Sequence, residues 1–287
     1  MKSHFFNLSL LHLLRKIPRR SGGQCGAKIH RPYRPRLEIL EDRNLLSTVT
    51  VDRLTDNNPT GGGEGSGTAG DLRWCVLESL FSADTINFSV TGTINLAGAL
   101  PTLTRSTSIQ GPGPGDLTVR RDSGGYYRIF DVGTGVTAVI SGLTISNGQF
   151  NDAGINYVGG GIRNFGTLTI NNCVVSGNTV VYNSGGGGIW SFGSLTVNNS
   201  TISGNRAGPS GAGGGIAGDV TLVNSTVLGN LAETGGGISG NVTIANREEA
   251  VFTSIVVRLA PETRSLLEIR PHPAQTCTAI LAPRGII

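Results

Sequence analysis

The sequence predicts an all-β solenoid, a stack of short strands with very little helix, and three observations carry that expectation. A unit of about twenty residues recurs between Gly159 and Ala245, in which Gly159-Gly-Gly-Ile-Arg-Asn-Phe-Gly-Thr-Leu-Thr-Ile-Asn-Asn-Cys-Val-Val-Ser-Gly-Asn178 is rewritten as Gly186-Gly-Gly-Ile-Trp-Ser-Phe-Gly-Ser-Leu-Thr-Val-Asn-Asn-Ser-Thr-Ile-Ser-Gly-Asn205, again from Gly213 to Asn230 and once more from Gly235. Within each copy apolar residues alternate with polar ones over two short stretches, too short for a helix, so a single unit cannot bury its own apolar face and must stack on its neighbours. The chain also carries 44 glycines in 287 residues without the every-third spacing of collagen, which suits short strands joined by tight turns.

Charge narrows the partners. The net charge is +4, but Met1 to Arg43 holds ten Lys or Arg against three acids, a local +7, so the rest of the chain carries −3. A body of that sign lacks the basic face of a nucleic-acid binder. Cys25, Cys75, Cys173 and Cys277 are widely spaced, with no C-x-x-C pair to suggest a thiol metal site. Cys173 occupies the slot of Ser200 and Ser225 in later copies, which reads as a small buried position.

In chain order, residues 1–47 read as an export leader. Lys2 precedes an apolar run, Phe5 to Leu14, that is too short to span a bilayer, and Arg15 to Arg20 follow it. Residues 48–92 read as a cap region. Thr48 to Leu54 alternates like a strand, Asn57 to Gly70 is a Gly-rich loop, and Asp71 to Phe81 is an amphipathic helix with Asp71 as its N-cap and Leu72, Val76, Leu77 and Leu80 on one face. A helix there would close the open end of a solenoid.

Residues 93–246 read as the solenoid. Short strands are expected at Thr93–Leu96, Ser106–Gln110, Leu117–Arg120, Ile129–Val132, Val136–Ile140 and Leu143–Ser146, ahead of the regular copies. In those copies the anchors Gly160, Gly187, Gly214 and Gly236 are spaced 27, 27 and 22, so the loops vary while the coil is kept. The columns Leu168, Leu195, Val220, Val242 and Ile170, Val197, Leu222, Ile244 face inward, as do Val175, Ile202 and Val227, and the threonines at 169, 196, 221 and 243 face out. Asn172, Asn199 and Asn224, and Asn178, Asn205 and Asn230, fall at corners, where asparagine tolerates left-handed backbone and stacked amides ~4.8 Å apart can bond along the axis.

Three stretches resemble known families. Arg36-Leu-Glu-Ile-Leu-Glu-Asp-Arg-Asn-Leu-Leu-Ser47 resembles the LEPR-XLL motif of large exported proteins of planctomycete-like bacteria through Glu41, Arg43, Leu45 and Leu46, with Asp42 where the family has proline. Residues 71–96 resemble the CSLREA segment that precedes surface-protein repeats, through Leu72 and Arg73. The repeats resemble the right-handed parallel β-helices of bacterial surface proteins, including those related to polymorphic outer-membrane proteins, with Gly-Gly-Gly-Ile and Ser-Gly-Asn standing for that family's signatures. These resemblances imply a right-handed parallel β-helix with a short N-terminal capping helix, on an extracellular or cell-surface protein.

At Arg247 the repeat breaks off. Residues 247–287 hold one glycine, Gly285, beside Pro261, Pro271, Pro273 and Pro283, a change that reads as a replaced frame or a truncated array rather than as a cap. An exposed last coil would favour self-association.

Little in the repeats suggests chemistry. Glycoside hydrolysis needs paired carboxyl groups and calcium-assisted lyases need an acidic cluster, whereas between Ile140 and Asn246 the acids are Asp152, Asp219 and Glu233, the bases Arg163 and Arg206, and histidine is absent. No catalytic residue, metal site or cofactor is assigned. Outward threonines could bind ice, but a single column is ordinary strand composition. Phe165 and Phe192 are equivalent in successive coils, with Arg163 and Trp190 two residues before them, and together could contact a cell-surface or matrix polysaccharide. The expected function is a non-catalytic structural or adhesive spacer. The alternative is a polysaccharide-active β-helix using the charged cluster Asp116, Arg120, Arg121, Asp122, Arg128 and Asp131.

Overall fold

The structure is a computed structural model, and it describes residues 47–81, 84–122, 125–151, 159–182, 184–245 and the backbone of 277–279. The leader, the LEPR-XLL-like stretch and most of the tail lie outside the described residues. The described chain winds as a parallel β-helix, because each short strand pairs in register with its equivalent one coil earlier and one coil later.

Three main sheets run along the axis, beside a two-stranded one formed by Gln149–Phe150 and Thr179–Val180. The first stacks Thr48–Val51, Thr85–Phe88, Thr107–Gln110, Thr137–Ser141, Thr167–Asn171, Ser194–Asn198, Val220–Val223 and Val242–Ile244. The second stacks Gly92–Leu96, Leu117–Arg121, Thr144–Ser146, Val174–Ser176, Thr201–Ser203 and Thr226–Leu228, and the third Phe130–Val132, Ile162–Asn164, Ile189–Ser191, Ile216–Ala217 and Ile238–Ser239. The strands expected between residues 93 and 148 fall within a residue or so of their observed bounds. Stacking starts before the boundary expected at residue 93, since Thr48–Val51 and Thr85–Phe88 are already rungs of the first sheet.

Register sets the core. Leu168 pairs with Leu195 and Val220 with Val242, while Ile170, Val197, Leu222 and Ile244 form the next column inward; all but Ile244 are buried, together with Val175, Ile202 and Val227. Threonines 169, 196, 221 and 243 are half-buried on the outside. Period two alone sorts these side chains.

The glycines of each Gly-Gly-Gly-Ile anchor divide the work. Gly186, Gly213 and Gly235 adopt φ of 74°, 68° and 56°, the left-handed region that favours glycine. The middle glycine is needed for closeness: a Cβ on Gly187 would lie 2.4 Å from the Gly214 carbonyl oxygen, and one on Gly160 would lie 2.4 Å from that of Gly187. Turn geometry therefore accounts for only one glycine in three. The rest let successive backbones stack and bond, as in Gly161 N to Gly188 O at 3.0 Å and Gly188 N to Gly215 O at 3.1 Å.

At the N-terminal end the helix Leu72–Ser79 covers the core opening. Asp71 caps it, Oδ1 accepting from the Trp74 amide at 2.8 Å and Oδ2 from the Glu64 amide at 2.7 Å. Its inward face is Leu72, Cys75, Val76 and Ser79, the i, i+3, i+4, i+7 set, whereas Leu77 and Leu80 are only half-buried. A buried ion pair fastens this cap: Arg73 donates to both Asp56 oxygens at 2.7 Å and to the carbonyls of Gly98 and Ala99, and the Ala97 amide donates to Asp56. Arg73 is one of the two residues that carry the CSLREA resemblance.

At the other end Cys277–Ala279 pairs antiparallel with Val242–Ile244, adding a last strand to the first sheet. The last full coil changes character outside. By register Val223 follows Asn198, Leu228 follows Ser203 and Leu231 follows Arg206, and Leu228 and Leu231 are 47% and 50% exposed.

Candidate functional site

The third sheet and its corner gather all four of the aromatic and basic residues singled out from the sequence. Arg163 pairs with Trp190 in register on adjacent strands, and both point outward because Ile162 and Ile189 on the same strands fill the core. Phe165 and Phe192 follow at the corner that leads into the first sheet. The Trp190 ring lies 6.3 Å from that of Phe192 at 12°, and Phe165 meets Trp190 edge-on at 5.2 Å and Phe192 at 6.5 Å. Trp190 is 9% exposed and Phe192 75%, so the cluster packs on itself and offers solvent chiefly the Phe192 ring.

Arg163 is already occupied. Its guanidinium donates to both oxygens of Asp131, at 2.8 and 2.7 Å, and lies 5.1 Å from the Phe165 ring centre. Asp131 stands one coil earlier in the same column, accepts from Thr102 Oγ1 at 3.0 Å and has Arg128 at 3.9 Å. Burial pushes the Asp131 carboxyl up, but the hydrogen bonds and charge of Arg163, aided by Arg128, outweigh it and hold the group below its ordinary value. The sequence did not join Asp131 to Arg163. The signal was there in Phe130-Asp-Val-Gly133, a version of Ile162-Arg-Asn-Phe165 without the glycine anchor.

The charged cluster of the early coils does not form one site. Asp131 belongs to the Arg163 pair, Arg128 lies 4.0 Å from the Phe150 ring centre, and Arg121 donates to the Asn147 carbonyl at 3.0 Å with its guanidinium 6.0 Å from the Tyr127 ring. Arg120 is half-buried, and Asp116 and Asp122 are exposed. Among the described residues no three His, Cys, Asp or Glu side chains come together as metal ligands. Asp152 lies outside the described residues. Cys75 and Cys173 are buried free thiols whose pKa burial raises to about 12 and about 11. Cys173 continues the serine column, with its amide donating to Ser200 Oγ at 3.0 Å.

The two asparagine columns differ. Asn178, Asn205 and Asn230 are buried and form a ladder, with Asn178 Nδ2 to Asn205 Oδ1 and Asn205 Nδ2 to Asn230 Oδ1 both at 2.9 Å. Each also donates to a carbonyl of the preceding coil, Ile145, Val175 and Ile202 respectively. Asn172, Asn199 and Asn224 are exposed and take the left-handed backbone, φ 46°, 46° and 47°. The side-chain hydrogen bond beside them runs instead from Asn198 Nδ2 to Asn171 Oδ1 at 2.7 Å. Both columns serve the scaffold, which leaves the aromatic corner as the candidate site.

No helix among the described residues is long and apolar enough to cross a membrane. Searches find no protein-family model, no curated protein and no solved structure that matches the chain.

Proposed function

We propose that this chain is an exported surface or extracellular protein whose β-helix is a rigid, non-catalytic structural or adhesive spacer. The observation that carries this reading is the outer surface of the repeats: on the strands from Ile162 to Ile244, Arg163 is the one charged residue, and Asp131 binds it. Strand faces of threonine, serine, asparagine and valine supply neither a general acid nor a base. The leader and the LEPR-XLL-like and CSLREA-like stretches support export. Incubation of the purified chain with pectin, alginate and neutral polymers, with and without calcium, is expected to release no unsaturated or reducing ends. Release of such ends would overturn the non-catalytic reading.

The aromatic corner favours a second, compatible reading, in which the spacer binds carbohydrate through Phe165, Trp190, Phe192 and Arg163, with Phe192 as the exposed contact. We also propose self-association through the last coil, supported by Val223, Leu228 and Leu231 in columns that are polar in earlier coils. In the first sheet Val242–Ile244 and then Cys277–Ala279 cover the strand Val220–Val223 of that coil, so the association uses the outward apolar band rather than the first-sheet edge.

A further inference from the structure

We propose that the step beside the aromatic corner is a ledge for the sugar rings of a neutral polysaccharide; this narrows the carbohydrate-binding reading above and rests on it. Register places Ala217 after Trp190 and Ser239 after Ala217 in the outward column of the third sheet. Six steps separate Ile162 from Leu168 and Ile189 from Leu195, but only four separate Ile216 from Val220 and Ile238 from Val242, so the last two corners are shorter and hold no counterpart of Phe165 and Phe192. Two coils with aromatic side chains are thus followed by two with almost none.

The fold enforces the step. Gly218 has φ +123°, and a Cβ there would lie 2.0 Å from the Ser191 carbonyl oxygen; Gly240 has φ +150°, and its Cβ would lie 2.3 Å from the Gly218 carbonyl oxygen. Neither position admits a side chain. The Ser191 backbone, next to the residue that carries the Phe192 ring, therefore borders a strip of bare backbone two rungs, or about 10 Å, deep. Trp190 and Phe165 hold the ring from within, so its orientation costs little to fix on binding.

One residue beyond each glycine stand Asp219 and Asn241, both exposed. The Asn241 amide N–H donates to Asp219 Oδ1 at 2.8 Å and its Nδ2 to Oδ2 at 3.2 Å, which aligns the two side chains along the strip. Each carboxylate oxygen keeps a second lone pair, and the Asn241 side chain adds a carbonyl acceptor. An aromatic face next to hydrogen-bond acceptors suits a ring with an apolar C–H face and equatorial hydroxyl donors. Charge decides the class of sugar. Arg163 is neutralised by Asp131, so the carboxylate of Asp219 is the charge bordering the ledge, and it repels uronate or sulfate groups.

Native affinity electrophoresis of the full chain tests the proposal, in gels containing soluble β-glucan, galactomannan or arabinoxylan and, separately, polygalacturonate or alginate. The wild type is expected to be retarded by a neutral polymer and not by the acidic ones. Phe192→Ala, at a side chain exposed enough to leave the fold intact by circular dichroism, is expected to weaken retardation about tenfold. If the wild type is retarded and Phe192→Ala is retarded equally, the chain binds the polymer away from this corner, and the ledge and the corner reading both fall. Retardation by acidic polymers alone also overturns the ledge, and retardation by none overturns both readings.

Discussion

Two asparagines in one coil have unlike roles, and their substitutions separate them. Asn205 is buried, accepts from the Asn178 amide and side chain, and donates to Val175 and Asn230. Asn205→Leu leaves the carbonyl of Val175 and the donors of Asn178 without partners, and is expected to cost about 3 kcal/mol in chemical denaturation. Asn199→Gly, at an exposed left-handed corner, is expected to stay within about 0.5 kcal/mol of wild type. Equal losses at the two sites would show that the ladder does not stabilise the coil. Asp131 supplies a pH signature. Its folded carboxyl titrates below the ordinary 3.8, so the stability it contributes is present above about pH 4 and is lost as pH falls through the lower folded value. Asp71 works the other way: burial raises its carboxyl, so its contribution is present at low pH and lost as pH rises. Whole-protein acid unfolding mixes the two. Asp131→Asn isolates one: it is expected to cost about 1–2 kcal/mol at pH 7 and to converge on wild type as pH falls through the lowered folded value. A gap that does not close in acid would remove the ion pair as its cause.

At the scale of the element, the coil depends on close backbone contact as much as on its apolar columns. Gly187→Ala places a methyl group 2.4 Å from backbone atoms of two neighbouring segments that cannot move aside, and is expected to cost several kcal/mol or to prevent folding. Gly177→Ala, where a Cβ meets nothing within 4 Å but φ is +63°, should cost only about 1 kcal/mol. Thermal melts of the two variants test the ordering. The last coil makes its own prediction: Leu228→Ser with Leu231→Arg, the residues of the preceding coil, should shift sedimentation towards monomer. A wild type that already sediments as a clean monomer would count against association. The element scale is also where the sequence was most legible. Period-two alternation and equivalent positions in the copies identify the inward columns and the corners without coordinates. The capping helix was visible from Asp71 and its apolar spacing, but Cys75 and Ser79, not Leu77 and Leu80, complete its inward face because the sheet beneath is met by the 72–75–76–79 stripe. The first rungs, Thr48–Val51 and Thr85–Phe88, were harder to join to the solenoid because a helix and a loop separate them.

At the largest scale the described residues from 47 to 245 form a one-dimensional stack in which each coil rests on its neighbours, so every site on it is an accident of register. That explains what the sequence could and could not reveal about the aromatic corner. Trp190 and Phe192 were visible as odd residues in a conserved frame of copies. Asp131, which occupies Arg163, was hidden because its coil lacks the glycine anchor that would have aligned it. The step above Phe192 was hidden too, since Ala217 and Gly218 gain meaning only once they are known to sit over Trp190 and Ser191. The same stacking leaves Cys75 and Cys173 inside, so neither should react with a thiol reagent until the chain is unfolded. Coil-to-coil register therefore underlies the core, the ladders and the ledge alike. Disulfide formation measures it most directly, in a background where Cys25 and Cys277 are serine. Thr169 and Thr196 are partners on adjacent strands, and Thr196 and Thr221 on the next pair, so Thr169→Cys with Thr196→Cys lies within disulfide reach of ~4.4–6.8 Å, while Thr169→Cys with Thr221→Cys, two rungs apart, lies beyond it. Mild oxidation should cross-link the first pair within one chain and leave the second as free thiols. Cross-linking of the second pair, or of neither, would contradict the stack.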